Sequence, residues 1–149
     1  MGFPFDTGIK VDEVLDSLEY PTIFIKKYTV TGFVMTVRKK REVPLGKQVN
    51  VNGEEIIIWR RGDQVYATSA RCPHQGSNLL LGDMEDFGKG VSITCPAHLW
   101  RFSVDSGECL NHSEVCDKLK TYPTMVDSER QIFVLFDSFS PALFNSQDF

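Results

Sequence analysis

Residues 48–69 read QVNVNGEEIIIWRRGDQVYATS, and this stretch decides the fold. Polar and apolar residues alternate through Gln48, Val49, Asn50 and Val51, and strand-type spacing returns over 64–69, the two-residue period of a strand with one buried face. Between them Ile56, Ile57, Ile58 and Trp59 form a strand-sized run of β-formers. Asn52-Gly53 and Gly62-Asp63 divide the stretch into 48–51, 55–60 and 64–69, and both pairs tolerate the positive backbone angles of tight hairpin turns. The expectation is an antiparallel meander.

Outward from the meander the same period marks 31–38 on one side and 91–94, 100–104, 120–126 and 131–136 on the other, with Trp100, Phe102 and Val104 alternating. The chain therefore reads as all-β, an antiparallel sandwich or barrel. The exception is 9–18, where Val11, Val14, Leu15 and Leu18 fall at helical spacing ahead of Pro21 and predict a short N-terminal helix. A chain of 149 residues with no internal repeat fits a single domain, 1–149. With 42% hydrophobic and 24% charged residues, disordered and collagen-like classes are excluded.

Sixteen Lys and Arg against twenty Asp and Glu give a net charge of -4, which disfavours nucleic acid as a partner. The apolar runs are all too short for a membrane span. The start, Met-Gly-Phe-Pro-Phe-Asp, lacks the pattern of a secretory signal, and Asp6 sits where a myristoylation signal has Ser or Thr. Four cysteines in such a chain read as metal ligands or free thiols in a reducing compartment, here the cytoplasm. The run Arg38 to Arg41 reads as a solvated loop, with a docking patch for an acidic redox partner as the sharper alternative.

The chemistry concentrates in Cys72-Pro73-His74-Gln75-Gly76 and Cys95-Pro96-Ala97-His98, each supplying one thiolate and one imidazole. Two centres use such a set: a 2Fe-2S cluster with both Cys on one iron and both His on the other, or a tetrahedral Cys2His2 zinc. Proline beside each Cys stiffens both segments, and Gly76 gives the first the freedom to turn sharply. Cys109, His112 and Cys116 offer three donors without an evident fourth and read as free thiols with a loop histidine. No catalytic Ser, His and Asp set and no phosphate-cradling Gly loop is present, so no catalytic residue is assigned.

Cys-Pro-His-Gln-Gly, with Cys-Pro-x-His-x-Trp-x-Phe running into Asp105-Ser106-Gly107-Glu108, resembles the Rieske-type 2Fe-2S family over about 48–136. The resemblance implies an all-β base with an inserted cluster-binding subdomain at 71–104, an N-terminal extension at 1–28 and a tail at 138–149. It implies one cluster per chain, with Cys72, His74, Cys95 and His98 as ligands. Residues 81–87 are similar to the soluble Rieske-type ferredoxins of eukaryotes, whereas Leu99 departs from the small residue usual after the second His. Respiratory and photosynthetic members carry one more Cys in each loop, joined as a disulfide. Ser77 and Ala97 stand there in this chain, which implies the lower-potential branch. The implied function is a soluble one-electron carrier, not itself an enzyme, with a reductase as donor and an oxygenase or reductase as acceptor. The alternative is the small subunit of an assimilatory nitrite reductase or an electron-transfer component of an oxygenase system. An oxygenase subunit with its own mononuclear iron is disfavoured, since His112 is the only histidine after Val104.

Overall fold

The computed structural model describes residues 2–88, 90–112 and 117–139. The meander forms as expected: β4 (Lys47–Val51), β5 (Glu54–Arg61) and β6 (Gln64–Ser69) pair antiparallel, with Val51 opposite Glu54 and Arg61 opposite Gln64. Asn52 and Gly53 both take positive φ, 52° and 76°, as a type I′ turn requires, and Gly62 at 63° opens the second turn. The run Ile56 to Trp59 is fully buried because β5 separates two cores. Ile57 and Trp59 face a cluster containing Cys72, Leu79, Ile93, Cys95 and Phe102. Ile56 and Ile58 face another containing Ile9, Val14, Ile132 and Val134. A strand buried on both faces loses its alternation and reads as continuous apolar sequence. Trp59 keeps its polar end satisfied by donating Nε1–H to Thr68 Oγ1 at 3.0 Å.

The second core lies between the sheet of β5 and a second sheet, in which β12 (Gln131–Phe136) pairs with both β1 (Phe3–Lys10) and β11 (Thr124–Val126). The stretch 120–126, expected as one strand, is two. Pro123 interrupts it, so β10 (Thr121–Tyr122) joins β6 in the first sheet while β11 joins β12 in the second. The chain thereby crosses between the layers of a sandwich.

The expected helix at 9–18 is absent. Ile9 and Lys10 end β1, and two short 3-10 turns follow at Val11–Glu13 and Ser17–Glu19. Thr7, Ile9 and Val11 are buried at the period of a strand, whereas Leu18 is 55% exposed. Pairing with β12 outweighs the local helical spacing: Thr7 Oγ1 donates to Ile132 O at 2.7 Å and Val11 N–H to Arg130 O at 2.9 Å. Asp16 then fixes the second turn by accepting from Leu18 N–H at 3.0 Å and Gly62 N–H at 2.8 Å.

Two further units complete the fold, and each contains a strand that the sequence reading did not expect, Phe24–Tyr28 in one and Asp83–Phe87 in the other. The stretch 31–38 is one arm of an exposed hairpin, β2 (Phe24–Tyr28) against β3 (Val34–Arg38). The acidic β7 (Asp83–Phe87) pairs with β8 (Gly90–Thr94), which pairs with β9 (Arg101–Ser103). These two units explain each other. Arg38 Nη1 meets Asp83 Oδ2 at 3.1 Å and Glu85 Oε1 at 2.8 Å, and Arg41 Nη2 meets Asp83 Oδ1 at 2.7 Å. The run 38–41 is therefore not a wholly solvated loop: its two arginines tie the hairpin to β7, and only Lys39 and Lys40 are exposed. Among the described residues no helix is long and apolar enough to cross a membrane.

Candidate metal centre

Both Cys-Pro segments are the tips of hairpins. The first closes above the bridge between Arg71 and Asn78, and the second above the Thr94–Arg101 pair of β8 and β9. The loops 72–77 and 95–100 share one internal bonding pattern. The N–H of each Cys donates across its loop, Cys72 to Ser77 O at 2.8 Å and Cys95 to Trp100 O at 2.7 Å. The Cys carbonyl accepts in return, from Gly76 N–H at 2.7 Å and from Leu99 N–H at 2.9 Å. The accepting turn needs a left-handed residue at the same place, and Gly76 (φ 74°) and Leu99 (φ 60°) supply it. For a non-glycine residue that conformation costs about 1–2 kcal/mol, so the hairpin beneath Leu99 holds the loop in a shape its sequence resists. The two loops differ in where the imidazole stands: third in 72–77, fourth in 95–100.

The donors gather as two pairs. Cys72 and Cys95 lie buried in one core cluster, at 1% and 0% exposure, close enough that charge on one disfavours charge on the other. Burial pushes the Cys72 thiol up to about 11, while the nearby backbone amides of His74 and Gln75 favour the thiolate. A cation is what would tip this pair to thiolate at neutral pH. On the outer side the rings of His74 and His98 meet edge to face with centroids 4.8 Å apart, His74 half-buried and His98 exposed. His74 Nδ1 is buried with no hydrogen-bond partner, as are Thr94 Oγ1 and Arg101 Nε on the β8–β9 hairpin. Among the described residues no three His, Cys, Asp or Glu side chains converge on a single ion-sized point. A tetrahedral zinc needs four donors around one point, whereas a sulfur pair inside and an imidazole pair outside match a centre with two metal ions.

Trp100 lies flat on the His74 ring, 3.8 Å between centroids and 8° between planes, and His112 stacks on the far face of Trp100 at 4.3 Å. Trp100 thus fixes the plane of a donor ring that belongs to the other loop. Asn111 is a positioning residue that sequence reading missed. Its Nδ2 donates to Leu99 O at 3.1 Å and its Oδ1 accepts from Arg101 N–H at 3.0 Å, clamping the second loop on both sides of Trp100. No local pattern marks it, because the segment it holds lies a hairpin away in sequence. Cys109 is half-buried with its sulfur 3.7 Å from Asn111 Oδ1. Of the other two donors in that run, His112 is engaged with Trp100 and Cys116 lies outside the described residues.

Comparison with known proteins agrees with this geometry. Residues 33–123 match the family model of the Rieske [2Fe-2S] domain. The chain is 33% identical over 91 residues to the ferredoxin component of the naphthalene 1,2-dioxygenase system of Pseudomonas aeruginosa, covering 60% of this chain and 83% of that protein. It is 38% identical over 66 residues to cholesterol 7-desaturase of Hemicentrotus pulcherrimus, covering 44% of this chain and only 13% of that protein. A solved structure described as a nitrite reductase (NADPH) small subunit superposes with a TM-score of 0.55 at 26% identity, covering 64% of this chain and 90% of the other.

Proposed function

The chain belongs to the Rieske [2Fe-2S] domain family, and from that premise we propose that it is a one-electron carrier whose cluster is held by Cys72, His74, Cys95 and His98. The observation that carries this reading is the pairing of donors at the tips of two equivalent loops, sulfur with sulfur and imidazole with imidazole, with His74 Nδ1 buried and unpartnered. When bound, the cluster supplies a one-electron couple. The chain's own residues do the rest. The amides of His74 and Gln75 beside the Cys72 sulfur stabilise negative charge there, while Trp100 holds the His74 ring in plane. The buried Cys side excludes water, and exposed His98 is the edge that a partner approaches most closely.

In this reading the chain works as one unit in the cytoplasm, with 71–104 as its cluster-binding part. It receives electrons from a reductase and passes them to an oxygenase or a reductase, without being an enzyme itself. Its likeness over most of its length to an oxygenase-system ferredoxin component favours a mobile carrier. The fold match to a nitrite reductase small subunit favours a second reading, in which the same centre works inside a permanent complex.

Anaerobically purified protein is expected to contain about two iron and two acid-labile sulfide per chain and to give a rhombic EPR signal on dithionite reduction. Stoichiometric zinc without labile sulfide, after expression with adequate iron, would overturn the proposal. His74→Ala and His98→Ala should each lose the native centre, and Cys109→Ser should keep it.

A further inference from the structure

The exposed hairpin β2–β3 does not stand apart from the metal centre. Its base and the loop carrying His98 enclose a cleft of ≈ 300 Å³, lined among others by Val37, Lys39, Lys40, Leu81, Ala97 and Leu99. Antiparallel pairing sets Ile25 opposite Val37 and Lys27 opposite Met35, so apolar Ile25 and Met35 share a face of the hairpin with Val37 of the cleft wall, and Lys27 lies on that face beside them. Leu81 and Leu99 are 40% and 50% exposed, and Ile25 and Met35 are 37% and 52% exposed. Residues 24–28 precede the stretch that matches the family model.

We propose that this cleft is where the electron-transfer partner docks, through a protruding segment with an apolar centre and acidic flanks; the proposal rests on the electron-carrier reading above. Charge identifies the occupant. Arg38 and Arg41 are engaged with Asp83 and Glu85, whereas Lys27, Lys39 and Lys40 meet no carboxylate among the described residues. The chain as a whole carries -4, so this basic rim is a local exception that attracts an acidic surface while the remainder repels it, which orients the encounter. Position supports the same occupant. Ala97 and Leu99 flank His98, so a segment seated in the cleft rests against the exposed edge of the centre. A concave site takes a protruding segment better than it takes the flat face of a bilayer.

The test uses the cluster-loaded protein, reduced and mixed in stopped flow with two one-electron oxidants of opposite charge, ferricyanide and hexaammineruthenium(III). One electron leaves the protein and reduces one oxidant ion in each case. Charge reversal in Lys39→Glu/Lys40→Glu should slow the ferricyanide reaction about fivefold at low salt and speed the ruthenium reaction, with both effects fading at high ionic strength. A capped pentapeptide of Glu, Phe, Glu, Leu and Asp at millimolar concentration should slow ferricyanide oxidation of the native protein about twofold, by competition for the rim. It should have no such effect on the lysine variant or on Leu81→Asp, each shown by its visible spectrum to retain the centre. Rates indifferent to the lysines, or a peptide without effect, would overturn the docking proposal, as would sedimentation with phosphatidylserine vesicles that the lysine variant abolishes. A native protein that delivers no electron to either oxidant would instead overturn the carrier reading itself. Normal reoxidation without charge discrimination would leave that reading standing and remove the docking site alone.

Discussion

Gly107 and Gly8 share a backbone conformation, φ +77° and +74°, and differ in what surrounds them, so replacing each by alanine separates conformational strain from steric exclusion. A Cβ on Gly8 meets nothing within 4 Å. A Cβ on Gly107 would lie 2.0 Å from the carbonyl oxygen of Leu119 and 3.1 Å from its carbonyl carbon, backbone atoms that cannot swing aside. Gly8→Ala should therefore cost only the left-handed penalty, about 1 kcal/mol, or a fall in Tm of about 2–4 °C for a chain of this size. In Gly107→Ala the strand leading to β10 must also retreat. That retreat breaks the hydrogen bond from Leu119 N–H to Gly107 O, now 2.9 Å, and draws Leu119 out of the core that contains Cys72 and Cys95. A lost hydrogen bond of about 1 kcal/mol and partial exposure of a leucine worth about 1.5–3 kcal/mol bring the total to about 4 kcal/mol, or about 8–16 °C in Tm. Thermal unfolding of both cluster-loaded variants, followed by far-ultraviolet circular dichroism at one scan rate, measures the difference. A Gly107→Ala protein melting within about 3 °C of Gly8→Ala, about one kcal/mol apart on the same scale, would refute the reasoning.

The Asn111 clamp makes two exposed hydrogen bonds worth together about 1–2 kcal/mol, so Asn111→Ala should release iron to a chelator about 5–30-fold faster, read as bleaching of the visible band. Unchanged bleaching would show that the second loop needs no clamp. Asp83→Asn leaves Arg38 and Arg41 facing a neutral amide, and because both guanidinium groups keep some water the cost should be about 2 kcal/mol, below that of a fully buried pair. It should appear as faster proteolytic cleavage in the β2–β3 hairpin; a native digestion rate would count against the ion pairs as its anchor. Asp16 is held below the usual carboxylate range, first by the amide of Gly62 and then by that of Leu18. A depressed folded pKa gives stability that is present above the unfolded carboxylate value and lost as pH falls through the folded one. The Tm deficit of Asp16→Asn should therefore be largest near neutrality and shrink in acid, and a deficit that grows on acidification would contradict this assignment.

Much of this protein could be read from residue order alone. The meander declared itself because Asn52-Gly53 and Gly62-Asp63 are local turn chemistry, and the strand 131–136 because Ile132 to Phe136 is a strand-sized run of apolar residues. The four candidate donor residues stood out because a metal centre needs thiolates and imidazoles in tight segments, and both types occur together within a few residues of each proline. Elsewhere the sequence misled or was silent. Val11, Val14, Leu15 and Leu18 have helical spacing, but Ile9 and its neighbours gain more by pairing with β12, a strand more than a hundred residues away. β2 and β7 drew no strand expectation: β2 lies on an exposed hairpin, and acidic β7 buries Met84 in the core while Asp83 and Glu85 pair with Arg38 and Arg41. The sequence by itself determined an all-β chain and two Cys-His segments, since turn preference, strand period and donor type are properties of neighbouring residues. Only the tertiary structure decided the sorting of donors into a sulfur pair and an imidazole pair, the Trp100 stack, the Asn111 clamp and the cleft beside His98. Each of those joins segments distant in the chain, and the free energy of such a contact depends on which surfaces meet in space, a quantity that no local stretch of residues contains.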